Sequence, residues 1–188
     1  MRIFSRQQRR PFLMPIWLLA LTAMTGALVL TVAVWWLATA NSTVIIVIRH
    51  AEKVVQDGGM DPPLSEAGEA RAALLARMFG DATKPGHIDA IYVTPTLRNR
   101  MTAAPLAARL GVTPTVTPSD DPTALANRVL REHPGGRILV VGHSDTVPVI
   151  AAALSGASVP PIGADEYGTM YIIIVPRIGQ ANLLRVSY

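Results

Sequence analysis

The run Val44-Ile45-Ile46-Val47-Ile48 leaves this chain few ways to fold. Five β-branched residues without a polar break read as a strand buried on both faces, the kind found in the middle of a parallel sheet. The run then stops abruptly at Arg49, His50, Glu52 and Lys53. A second apolar run, Ile138 to Val141, stops in the same way at Gly142-His143-Ser144-Asp145. In open α/β sheets the ligand crevice lies outside the carboxyl ends of the strands, so ionisable groups at these exits mark a candidate site.

Helical patterns separate the strands. Ser65 suits an N-cap for a helix to about Phe79, with Glu66 and Glu69 in its first turn and Leu74, Leu75, Met78 and Phe79 on its buried face. A strand at 88–93 precedes a helix at about 96–110 that carries Pro105 and ends at Gly111. An extended piece at 113–117 leads to a helix opened by Asp121-Pro122 and closed by His133-Pro134-Gly135-Gly136. After the strand at 137–141 comes a helix at about 147–154, then two strands, MYIIIV and ANLLRV, which read as an antiparallel hairpin. Strands alternating with helices predict an α/β three-layer sandwich with a mostly parallel sheet.

The front of the chain has another character. No charge falls between Pro11 and Ile48, and Ile16 to Ala38 is almost wholly apolar, more than the roughly 20 residues a helix needs to cross a bilayer. Trp17 and the Trp35-Trp36 pair flank this stretch as interfacial aromatics do. Arg2, Arg6, Arg9 and Arg10 precede it without an acid, a bias that keeps the tail in the cytoplasm. The expected organisation is a basic cytoplasmic tail at 1–14, one transmembrane helix at 15–39, and a domain at 40–188 outside the cytoplasm. Ala38-Thr39-Ala40 also fits a signal-peptidase site, but the apolar stretch is longer than a cleaved signal normally carries, which favours an uncleaved anchor.

Charge excludes some functions. Removing the four tail arginines from 17 Lys+Arg leaves 13, equal to the 13 Asp+Glu, so the domain is neutral and offers nucleic acid no basic surface. The chain has no cysteine, which rules out disulfides and thiol catalysis.

If the three strand exits are neighbours, Arg49, His50, Arg98 and His143 converge on one pocket with hardly any acid between them. Such a pocket suits a tetrahedral dianion, because guanidinium forks match phosphate oxygens. These residues resemble the histidine phosphatase superfamily, also called phosphoglycerate mutase-like. Arg49-His50-Ala51 resembles its first signature; Thr94-Pro95-Thr96-Leu97-Arg98-Asn99-Arg100-Met101-Thr102-Ala103 resembles its Ser-Pro-Leu-x-Arg-Ala-x-x-Thr-Ala segment; Gly142-His143-Ser144 resembles its second histidine motif.

The resemblance implies a phosphohydrolase in which His50 attacks phosphorus while Arg49, Arg98 and a protonated His143 hold the phosphoryl oxygens. Ser144, Glu52 and Lys53 are expected beside the substrate, and neither metal nor cofactor is required. The proton donor is less evident: Asp145 is the leading candidate, with Asp120, Asp121, Glu52 and Glu166 as alternatives. A mutase and a non-catalytic phosphate-binding protein remain as other readings. The expected substrate is a phosphorylated small molecule or phosphoprotein. His87 and His133 are expected to stay outside the site.

Overall fold

The computed structural model describes residues 16–40, 42–55, 61–81, 83 and 86–188. The basic tail expected at 1–14, and Gly58 and Gly59, lie outside these residues. Two compact units result, dividing at Leu37 and Ala38.

Among the described residues the first unit holds one helix, α1 (Ile16–Ala40), which runs past the division and lies one residue from the expected span. Its side chains are apolar all round and mostly exposed within the chain. A soluble core helix would bury one face, so by length and composition α1 is a candidate membrane span. At 1.5 Å per residue it extends about 37 Å.

The second unit is an α/β domain. Its elements are β1 (Thr43–Arg49), α2 (Glu66–Phe79), β2 (Ala90–Val93), α3 (Leu97–Leu110), β3 (Thr115–Val116), α4 (Pro122–Glu132), β4 (Arg137–Gly142), α5 (Thr146–Ser155), β5 (Thr169–Val175) and β6 (Asn182–Ser187). The six strands lie in the order β3-β2-β4-β1-β5-β6. β3, β2, β4 and β1 pair in parallel, whereas β5 and β6 join antiparallel at one side. The sheet is thus mostly parallel, with the hairpin where the sequence pattern put it.

Alternation along the strands explains the three layers. Ile45, Val47, Ile138 and Val140 point to one face, where Leu125, Ala126 and Val129 of α4 and Val147, Ile150 and Leu154 of α5 cover them. Ile46, Ile48, Leu139 and Val141 point to the other, beneath Leu75 and Ala76 of α2 and Ala103, Leu106 and Ala107 of α3. A strand with helices on both sides cannot carry polar residues, and each fully buried Val, Ile or Leu contributes about 1.5–3 kcal/mol. That is the physical origin of the unbroken VIIVI run.

The caps follow the sequence. Ser65 accepts the Gly68 N–H at the start of α2, Asp121 accepts the Ala124 N–H at the start of α4, and Gly111 ends α3 in the left-handed region. α3 runs unbroken through Pro105. The extended piece expected at 113–117 condenses to the two exposed residues of β3, which pair only with β2. The strand expected to begin at 88 starts at Ala90, although Ile88 is already buried.

Candidate active site

Register brings the strand exits level. β1 and β4 pair with Arg49 opposite Gly142, and the His50 N–H donates to the Gly142 carbonyl at 2.9 Å. β2 pairs with β4 so that Val93 lies opposite Val141, which carries Thr94 to the same level. β4 therefore delivers His143 between the exits of β1 and β2. The His50 and His143 rings meet edge to face, with centroids 5.6 Å apart and planes inclined at 67°.

His50 is buried, and its Nδ1 lies 2.8 Å from the Ala51 carbonyl oxygen. A carbonyl only accepts, so Nδ1 carries the proton and Nε2 keeps its lone pair. Burial, with Arg98, Arg49 and His143 nearby, lowers the His50 pKa to about 4 despite the opposing bond to Ala51. The imidazole is thus neutral at pH 7. α3 anchors the turn behind it: the Ala51 N–H donates to Thr102 Oγ1 at 2.9 Å, and that hydroxyl donates to the Arg98 carbonyl.

Arg49 is buried, and its Nη1 donates to the carbonyls of Gly163, Ala164 and Glu166. The guanidinium also lies 4.0 Å from the centre of the Tyr167 ring, which in turn sits 5.9 Å from the His50 ring. Arg49 therefore fastens the 163–167 segment over the site, and its Nε is buried without a partner. Arg98, in the first turn of α3, donates from Nη1 to Asp61 at 3.3 Å. Asp61 also accepts the Leu97 N–H with both carboxylate oxygens.

The expected acid-poor pocket is corrected here, because Asp61 stands directly at Arg98. An anionic side chain is stabilised there by a helix N-terminus and a guanidinium together. His143 differs from expectation too. Burial first, then Arg98, lowers its pKa, while Asp145 and Asp61 raise it. In the free protein it is neutral at pH 7 rather than protonated.

Asp145 is exposed and caps α5, accepting the Thr146 N–H at 2.8 Å. Ser144 and Asp145 open a groove of about 450 Å³ that continues along Pro148, Val149, Ala152, Val159 and Pro161. Glu52 turns to Arg71, which donates to it from Nε and Nη2, with Nη2 at 2.6 Å. That bond holds the Glu52 pKa below the usual carboxylate range, and the ionised group's evident work is to hold the loop after His50 against α2. Lys53 is exposed, its backbone bridging Leu64. Glu166 bonds Thr169, the Gly163 N–H and Arg185, contacts that lower its pKa to about 2 and leave it no proton to donate at neutral pH. Asp121 is committed to its cap. His133 contacts the Tyr92 hydroxyl at 2.9 Å and His87 pairs with Asp89, both away from the cleft.

Sequence reasoning missed Asp61, Thr94, Asn99, Thr102 and Tyr167 as parts of the site. Thr94, Asn99 and Thr102 lie in the 94–103 segment that carried the family resemblance, and Tyr167 belongs to Asp165-Glu166-Tyr167, just before a strand that ends up beside β1; Asp61 carried no signal.

Fold and site together define an α/β domain with two histidines and two arginines gathered at the carboxyl end of its parallel strands. Residues 45–119 match the model of the histidine phosphatase superfamily (branch 1). The protein histidine phosphatase SixA, solved with tungstate, is 18% identical, with a TM-score of 0.63 over 77% of this chain and 96% of that one. A mycobacterial glucosyl-3-phosphoglycerate phosphatase is 14% identical, with a TM-score of 0.60 over 78% and 98%. A complex of the same enzyme with VO3 aligns at 15% identity and a TM-score of 0.56, over 73% and 97%. No curated protein matches in a sequence search. The chain carries the sequence pattern of the histidine phosphatase superfamily in the first half of its domain and the histidine phosphatase fold across the domain.

Proposed function

We propose that this chain is a phosphohydrolase that cleaves phosphomonoesters through a phosphohistidine on His50. The observation that carries this reading is the His50 ring itself: its one proton is held on Nδ1 by Ala51, and Nε2 is left unprotonated beside His143, Arg49 and Arg98. In the first step the Nε2 lone pair forms a bond to phosphorus, the bond to the leaving oxygen breaks, and that oxygen keeps the electron pair. Arg98, Arg49 and His143 hold the phosphoryl oxygens as charge spreads over them. Water then attacks phosphorus, phosphate departs, and the lone pair returns to Nε2. The reaction is metal-independent, the cations of the side chains serving where a metal ion otherwise would.

Asp145 is the proposed proton donor, because it is exposed at the mouth of the groove and close enough to His143 to act on it electrically. The substrate is a phosphorylated small molecule or a phosphoprotein; Ser144 contacts it, and the groove beyond holds its leaving group. That SixA and the glucosyl-3-phosphoglycerate phosphatase share the fold supports a phosphorylated substrate of either kind. α1 tethers the enzyme to the membrane with the domain outside the cytoplasm, a reading supported by the arginine tail and the long apolar helix.

The test uses the full chain in detergent. Turnover of p-nitrophenyl phosphate should survive EDTA, fall with vanadate, and vanish in His50→Ala. Rapid quench should trap phosphate on His50 in an acid-labile, alkali-stable form, as a phosphoramidate is. Asp145→Asn should slow alkyl phosphates more than p-nitrophenyl phosphate, whose phenolate departs with little help. Near-normal turnover by His50→Ala, or an enzyme killed by EDTA and revived by a divalent metal, overturns the reading.

A further inference from the structure

Behind His143 lies a buried polar cluster that the chemistry above does not use. Asn99, the third residue of α3, is completely buried next to Arg98. Its Nδ2 stands 2.6 Å from Thr94 Oγ1 and 2.6 Å from Thr96 Oγ1. An amide nitrogen has two hydrogens, and these two hydroxyls take both. The 3.2 Å approach of Nδ2 to His143 Nε2 is then a contact without a hydrogen. Thr94, itself buried, completes the chain, with Oγ1 3.0 Å from Nε2. Having accepted from Asn99, the Thr94 hydroxyl has its own hydrogen to give, and Nε2 at 3.0 Å is a nearer acceptor than Thr96 Oγ1 at 3.3 Å. A ring nitrogen that accepts is unprotonated, which puts the proton of neutral His143 on Nδ1.

We propose that Asn99, acting through Thr94, is a positioning residue that fixes His143 as the neutral Nδ1–H tautomer, so that the ring meets a bound anion as an uncharged donor. The proposal rests on the phosphohydrolase reading for the identity of that anion; the tautomer rests only on the cleft taking an anion, as its two arginines imply. The surroundings agree with an uncharged ring. Burial, Arg98 from α3 and Arg49 from the end of β1 oppose a proton on it, while Asp145 at the start of α5 and Asp61 favour one less strongly, and the pKa is lowered in balance. The amide in its other orientation would turn Oδ1 to the hydroxyls, draw their hydrogens and make Thr94 the acceptor of an Nε2–H. That arrangement would leave on Nδ1 a lone pair, which repels the anion that two arginines draw into the cleft.

The experiment is a long-range proton–nitrogen correlation spectrum of the histidine side chains in the 15N-labelled full chain in detergent at pH 7.5, assigned with His143→Gln. The wild-type spectrum should show His143 neutral with Nδ1 protonated. Asn99→Ala and Thr94→Val should shift it toward the Nε2–H form, Thr94→Ser should restore it, and vanadate affinity should weaken about tenfold in Asn99→Ala as one buried hydrogen bond is lost. An Nε2-protonated His143 in the wild type overturns the proposal without any variant, as does a tautomer that neither substitution moves. A correct tautomer in a wild-type protein that does not bind vanadate would sink the phosphohydrolase reading and leave the tautomer assignment standing.

Discussion

Replacing His50 by Gln should remove about 2.5 kcal/mol of the domain's sensitivity to mild acid. The folded-state pKa of about 4 lies below the ordinary histidine value of 6.5. Above pH 6.5 the ring is neutral whether the chain is folded or not, and the shift costs nothing. As pH falls from 6.5 toward 4 the unfolded chain takes up a proton that the folded chain refuses, so stability is lost. The ring is buried, and no solvent discount applies. A shift of this size removes about 2.5 kcal/mol between pH 7.5 and pH 4.5, and about 3.4 kcal/mol once pH is below both values.

Glutamine has no such proton. Urea unfolding of the full chain in detergent, at pH 7.5 and 4.5, should therefore show a drop in the wild type that exceeds the drop in His50→Gln by about 2.5 kcal/mol. The lowered pKa of His143 acts in the same direction but is shared by both proteins. The comparison across pH also cancels whatever packing the substitution disturbs. Parallel losses in the two proteins would refute the claim that His50 is held neutral by burial and would return it to an ordinary histidine.

A methyl group at Gly68 should be far less tolerable than its helical position suggests. A Cβ there would lie 2.1 Å from the Glu52 backbone oxygen, so Gly68→Ala must push α2 off the loop that follows His50. We expect a loss of about 2–3 kcal/mol in urea unfolding together with reduced turnover. For α1, membrane fractionation should retain the full chain and an alkaline phosphatase fusion after residue 188 should be active; recovery of a soluble form beginning at Asn41 would point to a cleaved signal instead.

The β-branched run and the helix caps were legible because each is a local pattern with one physical meaning. The same holds for the level exits: two buried strands that each stop at a histidine say where the crevice is before any pairing is known. The roles of Asn99 and Asp61 were not legible: Arg98 placed its neighbour near His143 but did not say which way the Asn99 amide turns, and Asp61 reaches Arg98 only because its loop returns to the start of α3. Asp145 shows the opposite problem. Two positions from a histidine, it reads as a partner in chemistry, yet the structure also engages it in capping α5. Glu52 was ambiguous until Arg71, one helix further on, came to face it.

The reversal of β5 separates the two ends of the domain in what they can bear. Because β5 runs against β1, the chain enters it at the crevice, bringing Tyr167 to Arg49, and leaves it at the far end, beside Thr43 and Gly135. Seven strand residues, about 20 Å, stand between the two ends. The turn at 176–181 can therefore vary in length, or accept an inserted peptide or an affinity tag, while the 163–167 segment cannot shift by a residue without uncovering a buried guanidinium.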